Sequence, residues 1–471
     1  MLLRWPEEQW KRNQIAVILA ASIVFMGFTF VMPFLPYFVA SLGVKGGAIA
    51  IWSGILLSIS PLLAALLGPF WGRVADRYGM KIMVGRVLLA MTIHWFLMIF
   101  VWDVYSLLAL RILLGIFSGF SAMSIALITS GCPKESIGRS IGMLQSFQIL
   151  SVGVGPFIGG ILYDLIGLRA ACGITSFLCF ISFALIVFFY KDVKNESLSS
   201  NVTLGDSVRF GSRASHGLKA TLYAEDPSPY DIHEGETRRR KMENTVLQNI
   251  ESERGLRFME ILRIPGILSI IILLFFANLV SRSFSTVTPL FVEMLSRTKE
   301  NLGLISGITV SFASFAEAAS AFILGHLATK LLPKRLVIFS LAGGVLTVFP
   351  MAFVQSEYQF LAMRILAGFL TGGVLTVAFT TGGTLFPERS RATSYAILSS
   401  SALLGGAIGP MVSGLIAAAH IRITFFAGAA IYLFLVLETL AGIRREEALK
   451  TREEAARRKI AGEKPYIPLP R

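Results

Sequence analysis

The sequence predicts an all-α integral membrane protein, with twelve transmembrane helices in two pseudo-symmetric six-helix bundles. Three observations lead to this prediction: an apolar composition, twelve long apolar segments and an internal repeat. Hydrophobic residues make up 54% of the 471 residues and charged residues only 15%, and the mean hydropathy is +0.68. Such a chain has too few polar side chains to cover a water-soluble globule, so its apolar surface must face lipid.

Each apolar segment is long enough to cross the hydrocarbon core of a bilayer, which is about 30 Å thick and takes about 20 helical residues. Short polar turns, or turns with glycine or proline, separate the segments. Their even number places both termini on one side of the membrane. The predicted spans are 14–38, 47–71, 82–102, 104–130, 140–165 and 168–190 in the first half, and 266–291, 301–328, 336–355, 357–385, 393–418 and 421–443 in the second.

Lysine and arginine in the short connections predict the orientation, because these residues favour the cytoplasm during insertion. Basic residues concentrate in the connections on the side of the termini. The opposite loops hold only Lys45, Arg169, Arg297, Lys299 and Arg422. We therefore expect a multi-pass protein of the plasma (inner) membrane with both termini in the cytoplasm. Its net charge of +14 then meets anionic lipid headgroups of the bilayer, and no nucleic-acid partner is expected.

The two halves of the sequence match each other at a nearly constant offset, which indicates a duplicated six-span unit. The offset is 253 residues over the first four spans and 254 in the fifth. An even number of spans in each unit makes the two copies parallel, with a cavity between them that supports alternating access. The matched pairs include Pro36 with Pro289, Phe38 with Phe291, Gly54 with Gly307, Arg111 with Arg364, Gly115 with Gly368, Gly119 with Gly372, and Pro156 with Pro410.

The chain thus divides into four regions. Residues 1–192 form the first six-helix bundle and residues 263–443 the second. The polar residues 193–262 predict a cytoplasmic linker that is mostly disordered. Residues 444–471 form a charged cytoplasmic tail, and both an interfacial helix and a solvated segment fit its composition. We expect a monomer.

The loop between spans two and three contains Gly72, Asp76, Arg77, Gly79 and Lys81, and it resembles the signature loop of the major facilitator superfamily. A carboxylate at the end of span two can meet the positive N-terminus of a neighbouring helix, and the glycines allow a tight turn. The resemblance implies a latch that holds the outward-facing state closed on the inside. Threonine replaces the aspartate in the second half, so a one-sided latch is expected.

Span five carries Gly155, Pro156, Gly159 and Gly160, which resemble the glycine-proline motif of proton antiporters in the same superfamily. The glycines permit close helix contact, and the proline removes one backbone hydrogen bond and allows a bend. A hinge that lines the central path and ordinary glycine-mediated packing both fit this pattern. Residues 10–13 and 32–36 further resemble the bacterial twelve-span drug:proton antiporters, and the likeness covers nearly all spans.

Ionisable residues inside the spans are candidates for function, because a charge at the bilayer centre is costly and normally faces a cavity. Glu317 in span eight is the candidate for proton coupling, and a protonated structural residue is the alternative. Arg111 and Arg364 hold equivalent positions and either line a path for anionic groups or brace their bundles. Arg282 and Asn278 in span seven are candidates for lining the cavity or binding the substrate, and Arg282 has no charged counterpart in the repeat, which suggests a role in substrate binding or coupling.

Two kinds of transport remain open at this point. The first is proton-coupled efflux of drugs or other amphiphiles, which the resemblance implies. The second is an importer or facilitator of a sugar, an organic acid or a lipid-like metabolite, since one fold serves many substrates. A non-transporting receptor is a third reading. The sequence contains no phosphate-binding loop, zinc-protease motif or nucleophile elbow, so neither an enzyme nor a metal or cofactor is expected.

Overall fold

The computed structural model describes residues 9–129, 132, 136–191, 266–296, 300–328, 330–384 and 391–460. Throughout these ranges the regular secondary structure is helical. The predicted linker 193–262 lies outside the described residues, so its disorder remains a prediction. The last eleven residues of the tail, 461–471, also lie outside the described residues.

Ten helices in the described part of the chain are long and apolar enough to cross a membrane. One of them crosses twice and a shorter apolar helix adds a further crossing, which confirms the predicted twelve; we number them as spans in chain order. The first six are Gln9–Ser41, Ala48–Tyr78, Met80–Met98, the pair Val104–Phe117 and Phe120–Thr129, and the two arms of Ile137–Phe189. The others are Ile267–Leu295, Leu302–Leu327, Pro333–Met351, the pair Glu357–Thr371 and Val374–Thr384, Arg391–Ala419, and the first part of Ile423–Ile460.

The 53-residue helix that forms spans five and six would be about 80 Å long if it were straight, far more than a bilayer core. Gly167 interrupts it with a φ of 79° and a ψ of 164°, and the chain reverses there. Both arms end beside span one. Gln14 Nε2 donates to Ser140 Oγ at 3.1 Å, and Asn13 Nδ2 donates to the carbonyl oxygen of Lys191 at 2.7 Å. We call this end of the bundles the terminus side and the opposite end the far side.

Spans four and ten are each broken at the same position of the repeat, although the sequence predicts continuous helices. Gly119 adopts a φ of 122°, and its repeat partner Gly372 follows the first helix of span ten. The next residue, Gly373, donates its N–H to Ser320 Oγ of span eight at 3.0 Å. A side chain thus satisfies a backbone group that the break leaves without a helical partner.

Span twelve continues past the predicted membrane boundary at residue 443 as one helix, Ile423–Ile460. The tail is helical as far as residue 460, and both an interfacial position and a solvated one remain predictions. The helix follows directly from the membrane span with no turn between them.

The far-side ends of the two bundles are braced by the same contact. Arg169 donates to the carbonyl oxygens of Ile99 and Val101 at 2.7 and 2.8 Å. In the second half, Arg422 donates to the carbonyl oxygen of Ala352 at 2.7 Å. The 253-residue offset relates both the arginines and the first acceptors, so the two halves share a contact as well as a sequence pattern.

The starts of spans four and ten are also capped equivalently. Asp103 Oδ1 accepts from the N–H of Ser106 at 2.8 Å, and Ser356 Oγ accepts from the N–H of Tyr358 at 3.3 Å. Such caps satisfy N–H groups that have no partner inside the helix. The hydrogen bonds from Ser106 lower the pKa of the Asp103 carboxyl.

The two halves touch on the far side, where span two packs on span eleven and span five packs on span eight. The repeat uses one contact twice. A Cβ added to Gly54 would overlap the carbonyl oxygen of Pro410, and one added to Gly307 would overlap that of Pro156. Because the 253- and 254-residue offsets relate these pairs, the interface has the same pseudo-symmetry as the sequence.

Toward the terminus side, these four spans separate. Apart from the neighbouring backbone of its own helix, no atom of the described residues lies within 4 Å of a Cβ built on Gly68 or Gly72 of span two, or on Gly142 of span five. Phe147 and Leu150 of span five are 44% and 53% exposed. The part of the protein that the structure describes is therefore closed on the far side, with a cleft open on the terminus side.

Candidate functional site

Glu317 lies in the middle of span eight and packs closely against span ten. A Cβ on Gly368 would lie 3.3 Å from Glu317 Cγ, and a Cβ on Gly372 would lie 2.5 Å from Glu317 Cα. Larger residues at either position would push the two spans apart. The residue as a whole is partly exposed, while its side chain lies against the glycines of span ten.

Two arginines act electrostatically on Glu317: Arg364 of span ten and, more weakly, Arg282 of span seven. Arg364 is 6% exposed, and its guanidinium lies 4.0 Å from the centre of the Phe284 ring. Because Arg364 is buried, removal of the Glu317 carboxyl would leave its charge uncompensated. The structure thus brings together three of the residues predicted to have a function.

Arg282 and Asn278 share one face of span seven, as their spacing of one turn predicts. A Cβ on Gly406 of span eleven would lie 3.4 Å from Arg282 Cγ and 3.7 Å from Asn278 Oδ1. Arg282 is exposed. An arginine at mid-span faces water or protein rather than hydrocarbon, so this polar face belongs to the cleft.

Arg111 has the same place in the first half as Arg364 has in the second, but different neighbours. It is 1% exposed, its Nη1 donates to Met32 Sδ at 3.3 Å, and its guanidinium lies 5.8 Å from the Trp95 ring. The repeat offset puts Ala64 where Glu317 stands in the second half. The side chain is enclosed in this conformation, and both predicted roles, a brace and a path for anionic groups, remain predictions.

The span-five glycines pack against span one in this conformation. A Cβ on Gly155 would overlap Thr29 Oγ1, and one on Gly159 would overlap the carbonyl oxygen of Phe30. The backbone stays helical at Pro156, because the one non-helical residue of that helix is Gly167. Close packing therefore accounts for both glycines here, and the hinge remains a prediction.

The predicted latch loop lies on the open terminus side. Gly79 ends span two with a φ of 92°, which only glycine adopts readily, and Arg77 is exposed, with its guanidinium 5.6 Å from the Tyr78 ring. The side chain of Asp76 is outside the part of the chain that the structure describes, as is its counterpart Thr329. The latch is expected in the opposite conformation, so it stays a prediction, as does the role of Lys81.

Two residues that close the far side were missed by the sequence analysis. Asp164 at the end of span five accepts from the N–H groups of Gly303 and Leu304 in span eight, at 3.0 and 2.7 Å. Tyr37 of span one donates its hydroxyl proton to the carbonyl oxygen of Pro289 at 2.7 Å. One signal was available: Asp164 is an acid at a span end whose counterpart in the repeat is an alanine.

The arrangement around Glu317 fits reversible protonation within a cleft. A carboxylate there is stabilised by two cations, and a protonated carboxyl needs neither of them. Among the described residues, no group of three or more His, Cys, Asp or Glu side chains is placed to hold a metal ion.

Comparison with known proteins extends this picture. The family model described as "Major Facilitator Superfamily" matches residues 17–354 and 298–469. The chain is 30% identical over 448 residues to "Multidrug resistance protein MdtG" of Yersinia enterocolitica, covering 95% of this chain and 96% of that protein. It is 29% identical over 415 residues to "Multi-drug resistance efflux pump PmrA homolog" of Lactococcus lactis, covering 87% and 89% of the two chains.

Solved structures share the fold at lower sequence identity. A bacterial homolog of the human lysosomal transporter Spinster, in an inward-facing and unoccupied conformation, matches with a TM-score of 0.70, covering 93% of this chain and 98% of that chain at 14% identity. A point mutant of the nucleoside transporter NupG matches with a TM-score of 0.65, covering 91% and 99% of the chains at 13% identity.

Proposed function

Because this chain belongs to the major facilitator superfamily, we propose that it exports drugs or other amphiphilic small molecules in exchange for protons. Two relatives that align over most of their length are named as multidrug resistance or efflux proteins. These names favour export over the alternative of an importer or facilitator of a metabolite.

The observation that carries the proton coupling is the position of Glu317. It is partly exposed at mid-span, and the charges of Arg364 and Arg282 act on it. In the present conformation the carboxyl releases its proton into the cleft and is then stabilised by these arginines. When the far side opens, the carboxyl takes up a proton from that side, and its hold on Arg364 weakens. Exchange follows if substrate binds while Glu317 is ionised.

The direction of transport follows from the orientation. We assign the terminus side to the cytoplasm because the short connections on that side carry most of the basic residues. The cleft then faces the cytoplasm of a plasma (inner) membrane, from which substrate enters. Such a cycle needs a single chain, so we expect a monomer. Asp76 and the latch loop would close this side in the outward-facing state.

The test is transport by the purified full-length protein in liposomes. A panel of fluorescent amphiphiles, cationic, neutral and anionic, is followed with and without a pH gradient. We expect gradient-driven movement of at least one dye by the wild type. Glu317→Gln is expected to lose this movement and to keep exchange of dye in the absence of a gradient.

Glu438→Gln is the matched control. Glu438 is a second carboxyl within a span, near the terminus-side end of span twelve, where it accepts from Ser269 Oγ at 2.6 Å. This variant should transport like the wild type. Movement of every dye without regard to the gradient would refute proton exchange, and full coupling in Glu317→Gln would refute the role of Glu317.

A further inference from the structure

Two helix pairs close the far side: spans five and eight, and spans eleven and two. The repeat relates the two pairs, and their backbones pack in the same way. In one pair, a Cβ on Gly160 of span five would overlap the carbonyl oxygen of Gly303 in span eight. In the other, a Cβ on Gly414 of span eleven would overlap the carbonyl oxygen of Ala50 in span two. Since the offsets relate these residues, the helices approach each other equally closely on both sides.

The polar contacts of the two pairs differ. The two carboxylate oxygens of Asp164 accept from consecutive N–H groups of span eight, Gly303 at 3.0 Å and Leu304 at 2.7 Å. The equivalent position in span eleven is Ala418, whose methyl group accepts no hydrogen bond. At this position, spans five and eight are therefore joined by charge-assisted hydrogen bonds, which we call the clamp, whereas spans eleven and two are joined by packing.

The clamp joins the two halves of the protein rather than two parts of one bundle. Gly303 and Leu304 lie in the first turn of the helix Leu302–Leu327, where N–H groups have no partner inside the helix and the helix dipole favours a negative charge. Opening the far side must separate Asp164 from both groups. The bonds are made in this conformation and lost in the other, which is the property of a lock.

From this geometry we infer that Asp164 is the lock that holds the transporter closed on the far side, and so sets the balance between its inward- and outward-facing states. The inference deepens the proposed function, because only a protein that alternates between two states needs such a lock. Tyr37 adds a second polar contact between the two halves on the far side. Its hydroxyl bonds to Pro289 of span seven at 2.7 Å and lies 3.1 Å from Ser306 Oγ of span eight.

The experiment measures the closure directly. Spin labels are placed at Tyr105→Cys and Tyr358→Cys, which are repeat partners on the far side, 68% and 71% exposed, one in each half. The three native cysteines are replaced by serine: Cys132, Cys172 and Cys179. Distances between the labels are then compared for the full-length protein with and without Asp164→Ala.

Two charge-assisted hydrogen bonds from an exposed carboxylate predict that Asp164→Ala raises the ratio of open to closed molecules about 10-fold. A second, longer label distance should therefore become populated. Asp164→Asn, which has nearly the same volume, keeps one acceptor and loses the charge, so it should shift the ratio less. Leu165→Ala changes the next residue, 75% exposed, and should leave the distances unchanged.

An unchanged distance distribution in both Asp164→Ala and Asp164→Asn would overturn the lock, as would an equal shift in Leu165→Ala. If the alanine variant does not fold, the asparagine variant decides alone. The measurement uses neither substrate nor a proton gradient. Failure of the lock and failure of drug efflux are therefore separate results.

Discussion

Replacing Gly159 with alanine tests whether the span-five glycines serve packing. The new Cβ would overlap the carbonyl oxygen of Phe30 and lie 2.6 Å from its Cα. Carbon atoms in contact lie about 3.5–4.0 Å apart, so span one must move by roughly 1 Å. Overpacking of this kind costs about 1–3 kcal/mol. In thermal unfolding in detergent, this corresponds to a lower apparent Tm, by about 2 °C or less for each kcal/mol in a chain of this size.

Gly142→Ala is the matched control in the same helix. Apart from the neighbouring backbone of the same helix, no atom in the described ranges lies within 4 Å of a Cβ at this position. Alanine is favoured over glycine inside a helix by about 0.5–1 kcal/mol. The control should therefore unfold at the same temperature as the wild type or higher. If Gly159→Ala and Gly142→Ala show the same Tm, the close contact with span one does not limit stability, and the packing interpretation is wrong. Lost transport at an unchanged Tm would favour the hinge instead.

Two further predictions concern charges within the bundles. Glu317→Gln should lower the Tm, and adding Arg364→Gln to it should restore part of that loss, because the double variant no longer leaves the Arg364 charge buried without a partner. If the losses of Tm in the two single variants simply add in the double variant, the two side chains do not interact. Arg169→Ala should lower the Tm more than Arg422→Ala does, since Arg169 donates hydrogen bonds to two carbonyl oxygens and Arg422 to one. If Arg422→Ala has the larger effect in the same detergent, these hydrogen bonds are not what stabilises the far-side ends of the bundles.

The number and order of the spans were predictable because each is a long apolar segment, and lipid leaves helices as the way to satisfy their backbones. The symmetry was predictable from the repeat, which places Arg364 in the second half at the position that Arg111 has in the first. The breaks in spans four and ten were missed. Gly119 and Gly372 were recognised as repeat partners, but glycine also serves helix packing in membranes, so the residue type alone does not distinguish a break from a contact.

The candidate site was predictable in its members but not in its arrangement. The cost of burying charge singles out Glu317, Arg364 and Arg282 on any reading of the spans. Which of them meet depends on helix rotation and tilt, which packing against neighbouring helices decides. Asp164 was missed for another reason: an acid at a span end carries little insertion cost, and its partners are backbone N–H groups that a sequence does not reveal.

The reversal at Gly167 also has a consequence for biosynthesis. The helices of spans five and six meet at Gly167, so a tight turn joins them on the far side. During insertion, the charges of Asp164 and Arg169 would cross the lipid together, opposite in sign and close in the chain. We therefore expect spans five and six to enter the membrane together, as a helical hairpin.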